Sequence, residues 1–234
     1  MKLTVLGCDG SFPGAHGACS SYLVESDDGR LLLDLGCGAL PQLMARCRPE
    51  ELDAVVITHW HNDHASDMLA LQYYLLIKKL RMKVLAPKQT HPLKELLGQE
   101  EFDFKDLGIP RSIAGFDLSA HPVRHPLPAY AVKLSRNGKT LVYTGDTAGG
   151  EGLAAFCFGA DLLICDACFT TAQWREGLPH FTAAQAGQLA KDAGVQKLMI
   201  THAQPGSDKA ALLREARAFF PNTIQAEQGL SLSL

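Results

Sequence analysis

The amino-acid sequence predicts an α+β fold, namely a four-layer αββα sandwich of two mixed β-sheets with helices on the outer faces. Three observations lead to this fold class. The first sixty residues consist of short aliphatic or alternating segments separated by glycine-rich turns, a pattern typical of strands. Strand and helix patterns then alternate along the chain. The second half resembles the first, which predicts two sheets packed face to face.

In the first half, the pattern predicts strands at residues 3–6, 21–25, 30–35, 54–58 and 83–86. Asp27, Asp28 and Gly29 are typical of a hairpin turn between the second and third strands. Helices are predicted at residues 39–47 and 65–80. The second of these has an apolar face, and Lys78 and Lys79 in its last turn suit the negative end of the helix dipole.

In the second half, strands are predicted at residues 116–121, 130–135, 140–143, 162–165, 197–201 and 230–234. Asn137 and Gly138 are typical of a tight hairpin turn. Helices are predicted at residues 182–193 and 208–219. Thr182 is the expected N-cap of the first of these helices, and Gly194 is expected to end it.

The composition excludes several classes of protein. The chain has 234 residues, 47% of them hydrophobic, and 22 basic against 25 acidic side chains give a net charge of −3. A basic coat for nucleic acid is therefore excluded for the chain as a whole. The apolar runs fall far short of the roughly 20 residues of a membrane span, so no membrane association is expected. Seven cysteines, an odd number, exclude a fully paired disulfide framework and favour a reducing, cytoplasmic location.

The residues most informative about chemistry are His59, His61, Asp63 and His64, which share one six-residue stretch after a buried strand. Side chains two apart on an extended segment point to the same side, so His59 and His61 can bind one ion. Asp63 and His64 lie at the turn into the next helix and can hold a second ion. Imidazole and carboxylate ligands suit Zn²⁺, Mn²⁺ or Fe²⁺. We therefore expect two divalent metal ions, zinc before manganese or iron.

Four ligands do not complete two catalytic metal sites, so others must come from distant segments. His202 ends the strand at residues 197–201, in the same strand-end position as His59. His125 lies just past another predicted strand. Asp146 also follows a strand, at an edge where a carboxylate can bridge two cations. Because His59 and His202 would meet at one centre, residues 1–234 are expected to form a single domain.

In this order, the seven residues resemble the metal ligands of the metallo-β-lactamase superfamily, whose fold is the αββα sandwich predicted above. The resemblance covers essentially the whole chain. It implies that one metal is held by His59, His61 and His125. It implies that a second metal is held by Asp63, His64 and His202, with Asp146 bridging the two. Asp146 stands where β-lactamases that use a thiol have Cys, which argues against antibiotic hydrolysis.

A closer resemblance is to the ribonuclease Z-like phosphodiesterase branch of that superfamily. It rests on residues 178–186, which contain His180, and on the N-terminal patterns around Gly7 and Asp34. The resemblance implies that His180 stabilises the phosphate and protonates the leaving group. Asp34 is expected to orient a metal-ligating imidazole. In the loop before His180, Trp174 is expected to stack on a base and Arg175 to contact a phosphate.

Together these features predict a metal-dependent hydrolase, most simply a phosphodiesterase. A hydroxide that bridges two metal ions would attack a small or cyclic nucleotide-like phosphodiester. Asp63 is expected to accept a proton from the attacking water besides binding metal. The metals and His180 are expected to neutralise the charge that develops on the phosphoryl oxygens.

The chain departs from ribonuclease Z in one segment. Those enzymes carry a long glycine- and proline-rich arm that grips tRNA, whereas residues 87–110 here are short, with five acids and one base between Glu95 and Asp106. A small phosphodiester is therefore the expected partner, extended nucleic acid is disfavoured, and a homodimer is left open. Three alternatives stay open as well: a tRNA 3′-end endoribonuclease, a lactone or thioester hydrolase, and a non-catalytic metal-dependent binding or sensor protein.

Overall fold

The computed structural model describes all 234 residues and contains two seven-stranded sheets. The strands of the first sheet are β1 (Lys2–Gly7), β2 (Ser21–Ser26), β3 (Gly29–Leu33), β4 (Ala54–Val56), β5 (Met82–Ala86), β6 (Phe102–Asp106) and β14 (Ser231–Ser233). Their order across the sheet is β14-β1-β2-β3-β4-β5-β6. The pairs from β14 to β3 are antiparallel and those from β3 to β6 are parallel.

The strands of the second sheet are β7 (Arg111–Ile113), β8 (Phe116–Val123), β9 (Ala129–Arg136), β10 (Lys139–Tyr143), β11 (Leu162–Asp166), β12 (Leu198–Thr201) and β13 (Thr223–Gln225). Their order is β13-β12-β11-β10-β9-β8-β7. The pairs from β7 to β10 are antiparallel and those from β10 to β13 are parallel. Each sheet therefore combines three antiparallel with three parallel pairings, which explains why the two halves of the sequence look alike.

The helices are α1 (Ala39–Met44), α2 (Asn62–Ala65), α3 (Met68–Lys78), α4 (Pro92–Glu95), α5 (Leu153–Cys157), α6 (Ala183–Asp192) and α7 (Lys209–Phe219), with a 3₁₀ turn at Pro49–Glu51. One buried apolar cluster lies between the sheets and includes Tyr22, Phe116 and Tyr143. A second cluster joins α1 and α3 to the first sheet, and a third joins α5, α6 and α7 to the second sheet. The predicted αββα sandwich is confirmed.

Local sequence signals explain where several elements begin or turn. The Thr182 side chain accepts a hydrogen bond from the backbone N–H of Gln185, and the Gln185 side chain accepts one from the Thr182 N–H, which forms a capping box at the start of α6. The turn between β9 and β10 places Asn137 at φ +50° and Gly138 at φ +74°. Left-handed backbone at both positions is the hairpin geometry that the Asn-Gly pair predicts.

The prediction of one long helix at residues 65–80 is wrong in one respect, because the structure has two helices there, α2 and α3. Asp67 stands at the break. Its backbone N–H donates to the carbonyl of Leu35 at 3.2 Å, and its carboxylate accepts from the N–H of Leu40 at 2.9 Å. These contacts tie the chain to α1 and to the segment before it, and they leave α2 as a single turn that presents Asp63 and His64.

Residues 87–110, for which the sequence predicts no element, contribute α4 and the edge strand β6. Phe102 on β6 is fully buried under α3. The segment is thus part of the sandwich and does not form a projecting arm. No helix in the protein combines the length and the apolar character that crossing a lipid bilayer demands.

Candidate metal centre

The predicted ligands converge at one edge of the sandwich, beyond the carboxyl ends of strands from both sheets. His59 and His61 follow β4, and α2 supplies Asp63 and His64. The second sheet contributes its ligands from the segments after β8, β10 and β12. These three strands point the same way, because β8 and β10 are both antiparallel to β9, and β10 to β12 are parallel. Strand direction therefore brings residues far apart in sequence to one place.

The first group of donors consists of three imidazoles and a carboxylate. Nδ1 of His61 lies 3.1 Å from Nε2 of His59 and 3.0 Å from Nε2 of His125. Oδ2 of Asp146 lies 3.7 Å from Nε2 of His59. His59 and Asp146 are buried, whereas His61 and His125 are partly exposed. The four donor atoms lie within 4.8 Å of one another, so one ion can reach them all.

The second group is entirely buried and shares Asp146 with the first. Oδ1 of Asp146 lies 3.1 Å from Nε2 of His64, and Oδ2 lies 3.3 Å from Nε2 of His202. Oδ2 of Asp63 lies 3.1 Å from Nε2 of His202 and 3.7 Å from Nε2 of His64. The two oxygens of Asp146 thus face both groups, as a bridging ligand requires.

This arrangement fits divalent cations on its own geometry. A tetrahedral zinc site with bonds of about 2.0–2.1 Å places its donor atoms about 3.3 Å apart. The donor pairs described above, at 3.0–3.7 Å, bracket that value. Nε2 of His64 is buried and makes no hydrogen bond of acceptable angle, although Oδ1 of Asp146 lies 3.1 Å away. Buried polar groups rarely remain unpaired, so this nitrogen is best explained as a metal ligand.

Burial keeps the three imidazoles of the first donor group in the form that binds metal. Burial disfavours protonation and lowers the pKa of His59 well below its usual range, and it lowers the pKa of His125 to about 4. Burial also lowers the pKa of His61. Neutral imidazole is the form that offers a nitrogen lone pair to a metal. For Asp63, burial opposes ionisation, but His202 and His64 outweigh it and hold the pKa below its usual range.

Asp34 occupies the orienting position that the sequence predicts for it. Its Oδ2 accepts a hydrogen bond from Nδ1 of His64 at 2.7 Å, which leaves Nε2 of that ring for the centre. Thr58 donates to Asp34 through its backbone N–H at 2.7 Å and through its hydroxyl, and the Tyr143 hydroxyl donates at 2.9 Å. Asp34 is fully buried and adopts a left-handed backbone, with φ +57°. Such strain in a non-glycine residue is typical of functional sites.

Two glycines allow the chain to approach the ligands closely. A Cβ at Gly36 would overlap the carbonyl oxygen of Asp63, and one at Gly10 would overlap the carbonyl oxygen of His202. His202 itself has φ +64° and is anchored by donating its N–H to the carbonyl of Cys8. The ligand geometry thus depends on backbone positions that no larger residue fits.

His180 lies beside the centre and has a carboxylate partner, Asp166, that the sequence analysis did not identify. Nδ1 of His180 donates to Oδ2 of Asp166 at 2.9 Å, and the His180 ring stacks on His202 with centroids 4.9 Å apart. Burial would lower the pKa of His180, but the charge of Asp166 and this hydrogen bond outweigh it and raise the pKa to about 9. Asp166 ends β11 in the strand-end position shared by Asp146, and that placement was the available signal.

A cavity of about 550 Å³ opens beside His125 and His180. Trp174 lines it, together with Arg124, Gln185 and Phe181. Arg175 does not line it, because its guanidinium donates to the carbonyls of Ala172 at 2.9 Å and Trp174 at 2.7 Å within its own loop. The structure therefore brings Trp174, but not Arg175, to the cavity.

Comparison with known proteins agrees with this geometry. A model of the beta-lactamase superfamily domain matches residues 29–203. The chain is 32% identical to the probable metallo-hydrolase YhfI of Bacillus subtilis over 236 residues, covering 96% of both chains. The crystal structure of YhfI superimposes with a TM-score of 0.93 at 29% identity, over 99% of this chain and 98% of that one.

More distant relatives include proteins with named activities. The chain is 26% identical to ribonuclease Z of Archaeoglobus fulgidus, covering 100% of this chain and 98% of that protein. The fold also matches a diphosphatase of the PhnP family with a TM-score of 0.79 at 19% identity, over 100% of this chain and 97% of that one. With the predicted donor residues together at the edge of the sandwich, the family model and the whole-chain match with YhfI show that the chain belongs to the metallo-β-lactamase superfamily and is a metallo-hydrolase related to ribonuclease Z.

Proposed function

We propose that this protein hydrolyses a small or cyclic nucleotide-like phosphodiester with the help of two divalent metal ions, zinc in the first place. The observation that carries the proposal is the position of the His180–Asp166 pair beside two donor groups that share Asp146. Phosphodiester hydrolysis needs a place for an attacking water and a proton donor for the leaving oxygen. This centre can supply both within one cluster.

His59, His61 and His125 would hold one cation, Asp63, His64 and His202 the other, and Asp146 both. When bound, the cations supply Lewis-acid activation of water and of the phosphoryl group. Orientation of the ligands and transfer of protons depend on the side chains of the protein. Asp34 fixes His64 through the hydrogen bond to its Nδ1, so that the ring keeps one tautomer and one orientation.

Asp63 and His180 carry the proton transfers of the proposed reaction. Oδ2 of Asp63 accepts the backbone N–H of Ser11 at 2.9 Å, which fixes the carboxylate while it takes up the proton of the attacking water. His180 binds Asp166 through Nδ1, so its Nε2 is left to donate a proton to the leaving oxygen. The positive charge that Asp166 maintains on His180 also offsets negative charge on the phosphoryl oxygens.

The size of the cavity supports a small substrate. About 550 Å³ suits a molecule of drug or nucleotide size. Trp174 offers a flat face for an aromatic base, and Arg124 offers a positive charge. Residues 87–110, where ribonuclease Z carries its tRNA arm, are folded into the sandwich here.

Cleavage of tRNA 3′ ends is the second candidate, favoured by the match with the ribonuclease Z of Archaeoglobus fulgidus along the whole chain. It differs from the first in the size of the substrate. Binding tRNA needs many phosphate contacts, and this chain has a net charge of −3. We therefore place the small phosphodiester first.

The test is a substrate panel on protein whose metal content has been measured. The panel contains bis(p-nitrophenyl) phosphate, cyclic nucleotides, a precursor tRNA, a lactone and a thioester. We expect turnover of the small phosphodiesters and its loss in His180→Ala, with His121→Ala as a control because His121 lies away from the centre and bonds the Glu151 carbonyl. Turnover of the precursor tRNA at low enzyme concentration would favour the second candidate. Both candidate functions would be overturned if the metal-loaded protein hydrolysed only the acyl substrates or no substrate of the panel.

A further inference from the structure

A second cavity adjoins the metal centre, apart from the one that Trp174 lines. Its volume is about 590 Å³, and Asp63 of the second donor group borders it. The first cavity is bordered by His125 and His180, and the two cavities have no lining residue in common. Asp63 and His180 nevertheless both contact His202, at 3.1 Å and by ring stacking with centroids 4.9 Å apart. Two separate spaces therefore adjoin one centre.

The wall of the second cavity is largely apolar. Its apolar lining consists of Phe12, Pro13, Leu69, Pro92, Leu93 and Leu96. Three of these side chains, Phe12, Leu69 and Leu96, are large and exposed. Exposed apolar side chains that border one space beside a reactive centre indicate a binding site for an apolar group.

The charges around the second cavity exclude an anionic occupant. No lysine or arginine lines it, and Asp63 is the only acidic residue there. The first cavity, by contrast, has Arg124. An anionic group in the second cavity would lose water without gaining a basic partner from the protein, which is costly. The cavity therefore suits an uncharged group.

Phe12 is held beside the centre by its own loop. Ser11 donates its backbone N–H to Oδ2 of Asp63 at 2.9 Å, and a Cβ at Gly10 would overlap the carbonyl oxygen of His202. Phe12 donates its own N–H to the carbonyl of Gly10 at 2.8 Å. The loop is thus fixed against two proposed ligands, while the Phe12 side chain remains 55% exposed. The contacts that position the donor group also position this apolar wall.

Another part of the wall comes from α4, in the segment where the chain departs from ribonuclease Z. Nδ1 of His91 accepts the N–H of Leu93 at 3.3 Å at the start of this helix. Leu93 is buried in the apolar cluster that joins α1 and α3 to the first sheet, whereas Leu96 is 67% exposed at the cavity. Residues 87–110 thus supply a binding wall in place of an arm.

The two proton-transfer residues assign the two cavities to the two halves of a diester. His180, the proposed proton donor to the leaving oxygen, borders the first cavity, where Trp174 offers a face for a base. Asp63, the proposed acceptor of the water proton, borders the second. The attacking and leaving oxygens stand on opposite sides of phosphorus. The leaving alcohol therefore belongs to the first cavity, and the second is free for the group that stays on phosphorus.

We propose that the second cavity holds an uncharged alkyl or aryl group that stays on the phosphorus of the substrate, while the nucleoside half occupies the first cavity. This assignment rests on the proposed function. The water oxygen bonds to phosphorus as Asp63 takes the water proton, the bond from phosphorus to the nucleoside oxygen breaks, and His180 protonates that oxygen. The products are a nucleoside and an alkyl or aryl phosphate. A cyclic nucleotide has both ester oxygens on one sugar and leaves the second cavity empty, so an open-chain mixed diester is the better substrate.

The first test compares the methyl and hexyl esters of adenosine 5′-monophosphate with cyclic adenosine monophosphate on zinc-loaded protein. We expect kcat/KM for the hexyl ester to exceed that for the methyl ester about 10-fold or more, because additional methylenes enter the apolar cavity. The expected products are adenosine and hexyl phosphate. Leu96→Gln should lower the hexyl-to-methyl ratio about 5-fold. Phe158→Gln is the matched control and should keep the ratio, since Phe158 is exposed at the end of α5 and lines neither cavity.

Three results would overturn the assignment and leave the proposed function in place. They are equal kcat/KM for the two open-chain esters, faster turnover of the cyclic nucleotide than of the hexyl ester, and release of hexanol instead of adenosine. Failure to hydrolyse any of the three substrates would count against the proposed function instead. The occupant of the cavity is then decided by the second test.

The second test does not depend on turnover. Cys37 is the one exposed cysteine and lines the second cavity, so a bound hexyl chain shields its thiol. Hexyl phosphate at ten times its dissociation constant should slow alkylation by N-ethylmaleimide about 10-fold, whereas methyl phosphate at the same concentration should have little effect. Mass spectrometry follows the reaction, and Cys37→Ser shows that the label is on this thiol. Equal alkylation rates with the two phosphates would overturn the proposal.

Discussion

Oδ2 of Asp166 and Nδ1 of His180 are 2.9 Å apart, and the same Oδ2 accepts the backbone N–H of Thr147 at 3.0 Å. Thr147 directly follows Asp146, the carboxylate shared by both donor groups. One buried side chain therefore fixes both the proposed proton donor and the backbone next to the bridging ligand. Asp166 contacts the centre through His180, and its Oδ1 lies 3.9 Å from Nδ1 of His202.

Asp166→Asn tests this positioning role. The amide fills the same volume but removes the charge that keeps His180 protonated and in place. We expect kcat for a small phosphodiester to fall about 10- to 100-fold while the measured metal content stays unchanged. The pH profile should also change, because the group that protonates the leaving oxygen titrates lower without Asp166. An unchanged profile with lower activity would indicate only a structural role.

His59→Ala and His180→Ala should separate metal binding from catalysis. His59 contributes Nε2 to the first donor group, so its removal should reduce the bound metal, measured by elemental analysis of the purified protein. His180→Ala should keep the metal and lose about 10²- to 10⁴-fold in kcat, the usual contribution of a general acid. Full turnover in His180→Ala would show that its assigned role is wrong.

Asp34→Asn should weaken metal binding by the second donor group, although Asp34 is not itself one of the donors. The amide cannot accept every hydrogen bond that the carboxylate takes from His64, Thr58 and Tyr143. We expect a loss of metal affinity of about 10- to 100-fold, measured by competition with a chelating dye. Asp53→Asn is a control, since Asp53 accepts a backbone hydrogen bond from Arg30 far from the centre.

Removing the metal should destabilise the fold. Asp63, His64, Asp146 and His202 are buried, and the two carboxylates repel one another without a cation between them. A ligand at 1,000 times its dissociation constant stabilises the native state by about 4 kcal/mol. For a chain of this length that corresponds to a fall in Tm of roughly 10 °C on chelation. Calorimetry with and without chelator measures it, and re-addition of zinc should restore the original Tm.

Trp174→Ala should raise KM for diesters with an aromatic base and leave kcat nearly unchanged. Stacking on an aromatic side chain contributes about 1–3 kcal/mol, equivalent to a change in KM of roughly 5- to 150-fold. Arg175→Ala should have little effect, because its guanidinium is bound to carbonyls of its own loop. An equal effect of the two substitutions would contradict the placement of Trp174 in the cavity.

The candidate metal centre could be predicted from the sequence because its proposed ligands occupy recognisable positions. His59, His61, Asp63 and His64 are contiguous, and Asp146 and His202 follow strands whose carboxyl ends share one edge. Asp166 occupies an equivalent position, directly after the strand predicted at residues 162–165, but was given no role. Only the three-dimensional fold shows that it meets His180. A hydrogen bond between residues 14 positions apart in a loop-rich segment leaves no periodic signal.

The fold class was also predictable, whereas some boundaries were not. Alternation, continuous aliphatic runs and glycine turns locate most of the strands in the middle of each sheet. In the edge strand β6, Phe102 and Phe104 alternate with charged residues. The strand was not predicted because acidic residues surround this short alternating pattern. The break between α2 and α3 depends on bonds from Asp67 to Leu35 and Leu40, which local propensity does not report. Contacts that are distant in sequence decide such boundaries.

The apolar layer between the sheets has a consequence for metal selectivity. One sheet carries His59, His61, Asp63 and His64 and the other carries the remaining ligands, so the thickness and alignment of this layer set the separation of the two halves of each donor group. A change in side-chain volume there, for example Leu134→Ala, would alter the span between donors without touching them. Ion preference in this protein is therefore adjustable from the hydrophobic interior, at residues that never contact an ion.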